Sequence, residues 1–150
     1  MVILMRRIKY YVIAFILVFV LSNVLLYSFR MFVVANSRVC YYSYRYRDED
    51  GEIRTSRIEL EASDVIMIKR LLLKQRFTYS VDYINTDDSY ALTFVMNKTL
   101  LYHFYLTYPK PSSRIVNEIK LTAELNDEDR DTLNYILEKY EKGRLVLRGG

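Results

Sequence analysis

Residues 10–29 read YYVIAFILVFVLSNVLLYSF, twenty positions without a charge. At about 1.5 Å rise per residue such a helix spans the hydrocarbon core of a bilayer, about 30 Å. The pattern predicts one membrane-spanning helix within residues 1–35. Tyr10, Tyr11 and Tyr27 sit at the ends of the run, where amphipathic rings favour the headgroup layer. Ser22 and Asn23 are its polar members. In lipid an asparagine favours a partner on a neighbouring helix, although such bonds contribute only about 0.6–2 kcal/mol.

After residue 35 the period changes. Residues 38–47 (RVCYYSYRYR) alternate, with Cys40, Tyr42, Tyr44 and Tyr46 on one side and Tyr41, Ser43, Arg45 and Arg47 on the other. Period two with aromatic residues predicts a strand. Asp48-Glu49-Asp50-Gly51 reads as a turn, and residues 52–61 resume strand character, completing a hairpin. The apolar phase shifts between Thr55 and Ile58, which predicts a bulge. Ser63 reads as the N-cap of a helix running to about residue 75, with Val65, Ile68, Leu71 and Leu72 on its apolar face. Strands are expected at 77–84, 90–97 and 100–108, with turns at 85–88 and 97–98 and a loop at 109–113. A further single strand is expected at 114–122. Asn126 caps a second helix, with Asp127, Glu128 and Asp129 in its first turn, Lys139 and Lys142 in its last and Gly143 at its end. Leu133, Ile136, Leu137 and Tyr140 form its apolar stripe. Residues 144–148 read as a closing edge strand. The order β-β-α-β-β-β-β-α-β predicts an α+β domain over residues 36–150, a mostly antiparallel sheet with both helices on one face.

Charge sharpens this division. Of the 22 Lys and Arg, only Arg6, Arg7, Lys9 and Arg30 precede residue 36, while all 18 acidic residues follow it. The net charge of +4 therefore belongs to the anchor, and the domain is formally neutral. That excludes the basic excess usual for nucleic-acid binding. The small cluster Lys69, Arg70, Lys74 and Arg76 reads as a solvated helix face. Arg6, Arg7 and Lys9 outweigh Arg30 beside the apolar run, so the positive-inside bias predicts a cytoplasmic N-terminus and an extracytoplasmic domain, periplasmic in a bacterium. The rival is a secreted domain released by signal cleavage, with Val33 and Ala35 as the small-residue positions. The apolar run exceeds the usual 7–15 residues and Arg30 interrupts the approach to that site, so an uncleaved anchor is the reading adopted.

No catalytic, cofactor or metal motif emerges. Cys40 is the lone cysteine and His103 the lone histidine, which together cannot supply a structural zinc site of the common types. They remain the one nucleophile–base pair available to an enzyme, the alternative reading. The carboxylates at 48, 49, 50 and 52 surround a glycine without the twelve-residue spacing of an EF-hand, so a solvated turn is expected. Asn97-Lys98-Thr99 fits a glycosylation sequon. Leu147-Arg148-Gly149-Gly150 resembles the tail of ubiquitin and its relatives, and the upstream hairpin–helix–strand order is loosely similar to a β-grasp fold. In that family the two glycines let the tail thread a narrow enzyme groove. An exported, anchored domain is the wrong place for such conjugation, and the tail is read as coincidence.

The compositional anomaly is tyrosine, at 15 residues with no tryptophan. Tyr and Arg are enriched at protein–protein hot spots, and an antiparallel sheet can leave one face uncovered. Tyr41, Arg45 and Arg47 are therefore the candidate partner-binding residues, whereas half-buried sheet positions would account for the other tyrosines. The sequence leads to a non-enzymatic single-pass membrane protein, without a small-molecule substrate or cofactor, whose exported domain binds a protein. It would be an accessory subunit of a membrane complex or a membrane-tethered inhibitor of the immunity type.

Overall fold

α1 (Val2–Asn36) is one uninterrupted helix of 35 residues. Its stretch Ile8–Asn36 is long and apolar enough to cross a membrane. The computed structural model describes residues 2–79, 90–106, 114–117, 121–141 and 145–146. The expected turn at 85–88, the loop at 109–113, Lys142, Gly143 and the tail at 147–150 lie outside them. The chain divides into two compact units, Met1–Phe32 and Val33–Gly150.

The second unit is α+β, with every strand pair antiparallel. Its described strands are β1 (Val39–Arg47), β2 (Ile53–Glu59), β3 (Thr78–Tyr79), β4 (Ala91–Val95), β5 (Leu101–Leu106), β6 (Arg114–Asn117), β7 (Leu121–Glu124) and β8 (Leu145–Val146). Six of these have four residues or more, and β3 and β8 are two-residue ladders. The order across the sheet is β2-β1-β4-β5-β6-β7-β3, with β8 also pairing β1.

The hairpin closes where the sequence places it. Gly51 has φ of 83°, a left-handed conformation that glycine adopts without Cβ strain. Asp48 Oδ1 accepts from Glu52 N at 2.8 Å, and Arg54 reaches the other oxygen at 2.6 Å. The expected bulge is absent, because the β1–β2 register runs unbroken from Tyr41↔Glu59 to Arg47↔Ile53. The apolar phase shift has a different cause. β2 is the edge strand, so Ile58 projects with Tyr42 over the core while Ile53, paired with Arg47, lies exposed on the other face. The single strand expected at 114–122 is instead two strands, β6 and β7, paired antiparallel. The Asn117 side-chain carbonyl accepts from Leu121 N at 3.0 Å. Short polar side chains favour such local turns over a continuing strand.

α2 (Ala62–Lys74) begins earlier than expected. Its N-cap is Glu61, and Ser63 lies within the helix. Glu61 makes no side-chain cap bond; its own N–H donates to the Tyr140 hydroxyl at 2.9 Å. A tertiary contact therefore sets the start that local capping chemistry would have placed two residues later. α3 (Asp127–Glu141) starts as expected, with Asn126 Oδ1 accepting from Asp129 N at 2.8 Å.

The two helices cover the face of the sheet that carries Cys40, Tyr42 and Tyr44. The Tyr42 hydroxyl donates to Glu141 Oε1 at 2.6 Å, and the Tyr44 hydroxyl to the Tyr140 carbonyl at 3.1 Å. α2 and α3 run antiparallel and are joined at both ends. At one end Lys139 donates to Glu61 and Asp64, and Tyr140 donates to Asp64. At the other end Lys74 and Gln75 meet Asp129. Each charge also sits at the helix end whose partial charge it complements, Asp64 and Asp129 at N-termini and Lys74 and Lys139 at C-termini. The core between helices and sheet holds Val65, Ile68, Leu72, Phe94, Phe104, Leu133, Ile136 and Leu137.

Leu137 is fully buried and Glu138 is exposed. Leu137→Ala is expected to lower the unfolding free energy by about 2–5 kcal/mol, as other core truncations do. Glu138→Ala should change it by no more than about 0.5 kcal/mol. Denaturant melts of the two full-length variants in detergent check the helix phase.

Candidate functional site

The strand alternation read from the sequence holds in β1. Tyr42 and Tyr44 are buried, Arg45 and Arg47 are exposed, and Tyr41 and Ser43 are intermediate. Pairing extends this second face across the sheet. Tyr41 stands between Glu59 of β2 and Thr93 of β4, and Thr93 in turn faces His103 of β5. Ser43 stands between Arg57 and Ala91, and Ala91 faces Tyr105.

Side-chain contacts tie these rows together. The Arg57 guanidinium carbon lies 4.5 Å from the Tyr41 ring centroid, a cation–π geometry. Thr93 Oγ1 and His103 Nδ1 are 2.9 Å apart. The rings of His103 and Tyr105 stack at 6.5 Å between centroids, 19° from parallel. Along β1 and β2 this face carries three arginines, Arg45, Arg47 and Arg57, against one acid, Glu59, with Tyr41 at one end of the row beneath Arg57. Arg47 and Arg57 have no carboxylate partner among the described residues. Tyr41, Arg45 and Arg47 thus share one face, and Arg57 joins them. Arg57 was not legible as a member because its place depends on the register of a strand whose phase the sequence obscures.

Cys40 and His103 are not brought together. Cys40 pairs with Phe94, which pairs with Tyr102, so the thiol belongs to the covered face while His103 belongs to the other. Cys40 is fully buried, and desolvation pushes its thiol well above the ordinary range. A neutral, enclosed thiol is a poor nucleophile. Among the described residues, no group of three or more His, Cys, Asp or Glu is arranged to hold a metal ion. The Asn97 side chain caps its own turn, accepting from Leu100 N at 2.8 Å and Thr99 N at 2.9 Å. Two members of the basic cluster are committed elsewhere, Lys69 to the Ser37 carbonyl at 2.9 Å and Lys74 to Asp129.

In α1, Tyr10 and Tyr11 are exposed and Tyr27 is half-buried. Asn23 Nδ2 donates to the Phe19 carbonyl at 2.8 Å, and Ser22 Oγ does the same to Val18. The Asn23 side-chain N–H therefore has an acceptor within its own helix. In the second unit, Val33 and Val34 are 2% and 0% exposed.

Comparison with known protein families, with characterised proteins and with solved structures finds no match.

The burial of Cys40 generates a prediction. In the folded chain its thiol should resist a maleimide or disulfide reagent, and react once denaturant exposes it. Mass spectrometry of labelled protein across a denaturant series checks this, and fast labelling without denaturant would contradict it.

Proposed function

We propose that this chain is a non-enzymatic single-pass membrane protein that holds a small extracytoplasmic domain at the membrane, where the domain binds an acidic surface of a protein partner. The supporting observation is the face bearing Tyr41, Arg45, Arg47 and Arg57. These side chains build no core and carry a surplus of positive charge, with Arg57 stacked on the half-exposed Tyr41 ring and Arg45 and Arg47 further along the same strand as Tyr41. Tyr and Arg are the residue types most often found at binding hot spots, and a surplus of one sign favours an oppositely charged partner. An accessory subunit of a membrane complex and a tethered inhibitor of the immunity type both use such a module.

The anchored reading draws support from α1. Signal cleavage after Ala35 would remove Val33 and Val34, two buried side chains of the second unit. Arg6, Arg7 and Lys9 before the apolar run favour a cytoplasmic N-terminus. A reporter fused after Gly150 should then behave as exported, and the mature chain should still contain Met1 or its immediate neighbours. A cytoplasmic reporter signal, or a mature N-terminus at Asn36, would refute this topology.

Binding is tested by recovering partners of the full-length chain in mild detergent with quantitative mass spectrometry. Tyr41→Ala combined with Arg45→Ala should reduce recovery of a specific partner about 30-fold or more, as loss of about 2 kcal/mol implies. The melting transition should persist, since neither side chain belongs to the core. Undiminished recovery by a folded double variant would remove this face as the interface.

A further inference from the structure

β2 is the outermost strand of the sheet. The hairpin fixes which of its backbone groups point outward. Asp48 N donates to Glu52 O and Leu60 N donates to Cys40 O, both at 2.9 Å. Along an antiparallel ladder, hydrogen-bonded pairs alternate with pairs that exchange no bond. The unbonded pairs are therefore Tyr41↔Glu59, Ser43↔Arg57, Arg45↔Thr55 and Arg47↔Ile53. The N–H and C=O groups of Ile53, Thr55, Arg57 and Glu59 turn away from β1, and these four residues have no other backbone partner among the described residues. Such a row is a template for a further strand.

The side chains along this edge indicate which strand fits. Arg57 and Glu59 are both exposed, lie two residues apart on the same face, and form no ion pair among the described residues. A second copy of β2 laid antiparallel, about a two-fold axis normal to the sheet, must pair outward-pointing residues with each other. With the axis at Ile58, Arg57 stands opposite Glu59 of the second copy, and the symmetry repeats that pair. On the other face Ile58 stands opposite its own counterpart. With the axis at Ser56, Arg57 faces Thr55 and Glu59 faces Ile53, so no opposite charges stand directly across the edge. The edge is thus complementary in charge to itself in one register.

We propose that the chain self-associates through β2, antiparallel and about a two-fold axis at Ile58, so that two sheets join into one. This goes beyond the partner-binding reading: it engages Arg57 of that face in the pair with Glu59 and leaves Tyr41, Arg45 and Arg47 of both copies on one continuous surface.

The test uses the full-length chain in lipid bilayers and in detergent micelles. At the axis Ile58 occupies a non-hydrogen-bonded pair, with Cα atoms about 4.5 Å apart, inside the range a disulfide bridges. Ile58→Cys should give a covalent dimer on mild oxidation, whereas Ser56→Cys and the unaltered chain, whose Cys40 is enclosed, should not. Arg57→Glu alone or Glu59→Arg alone should weaken association about tenfold or more, because each makes two symmetry-related pairs repulsive. The combined exchange, Arg57→Glu with Glu59→Arg, should restore it, which a mere folding defect would not. A monomer at every concentration, crosslinking at 56 instead of 58, or failure of the double exchange to rescue would each overturn the proposal. Partner recovery through Tyr41 and Arg45 is a separate readout, so the two proposals fail independently.

Discussion

The second unit is organised around phenol hydroxyls that burial takes away from water. A buried hydroxyl without a partner costs about 1–3 kcal/mol, and β1 places two of them, Tyr42 and Tyr44, under the helices. Both are satisfied at the last turn of α3, by the Glu141 carboxylate and the Tyr140 carbonyl. That pairing fixes the end of α3 over β1. Tyr140 then extends the chain of contacts, accepting from Glu61 N and donating to Asp64 at the start of α2. Three elements are thereby held by the ends of three tyrosines. The abundance of tyrosine, which suggested a docking surface, is in good part a structural requirement, and only Tyr41 among the β1 tyrosines considered for binding turns to the other face.

The helix pair adds a second layer of agreement. Asp129 lies 5% exposed between Lys74, Gln75 and the Asn126 cap. Although desolvation opposes its ionisation, the bonds from Lys74, Gln75 and Asn126 outweigh that and hold its carboxyl below the ordinary range. At the far end, hydrogen bonds to Glu61 and Asp64 hold the Lys139 ammonium above its ordinary range. The same residues that cap or complement one helix grip the other, so local helix signals and tertiary packing favour one arrangement.

Where local pattern and tertiary demand coincide, the sequence was readable. The apolar run, the alternation of β1, the Gly51 turn and the whole of α3 from Asn126 to its stripe follow from residue chemistry over a few positions. The failures share a cause. The bulge in β2, the Ser63 cap and the unbroken strand at 114–122 were each inferred locally, and each was decided by something distant or subtle: an edge position, a tyrosine 79 residues away from Glu61 in sequence, an asparagine side chain acting as backbone. The candidate face was half legible. Alternation put Tyr41, Arg45 and Arg47 together, but Arg57, Thr93, His103 and Tyr105 join them only through cross-strand register, which no single segment encodes.

The partners that hold the helices to β1 also impose an order in time. Tyr42 and Glu141 are 99 residues apart in sequence, and Tyr44 and Tyr140 are 96 apart. β8, the last strand described, pairs with β1, the first. Contacts of such long sequence separation carry their loop-closure entropy before they return any stability, and chains dominated by them fold slowly. A nascent chain that has reached only its first hundred residues therefore lacks the Glu141 and Tyr140 groups that these two hydroxyls bond. The contacts that tie β1 to α3 and β8 can therefore form only when nearly all of the domain has been synthesised.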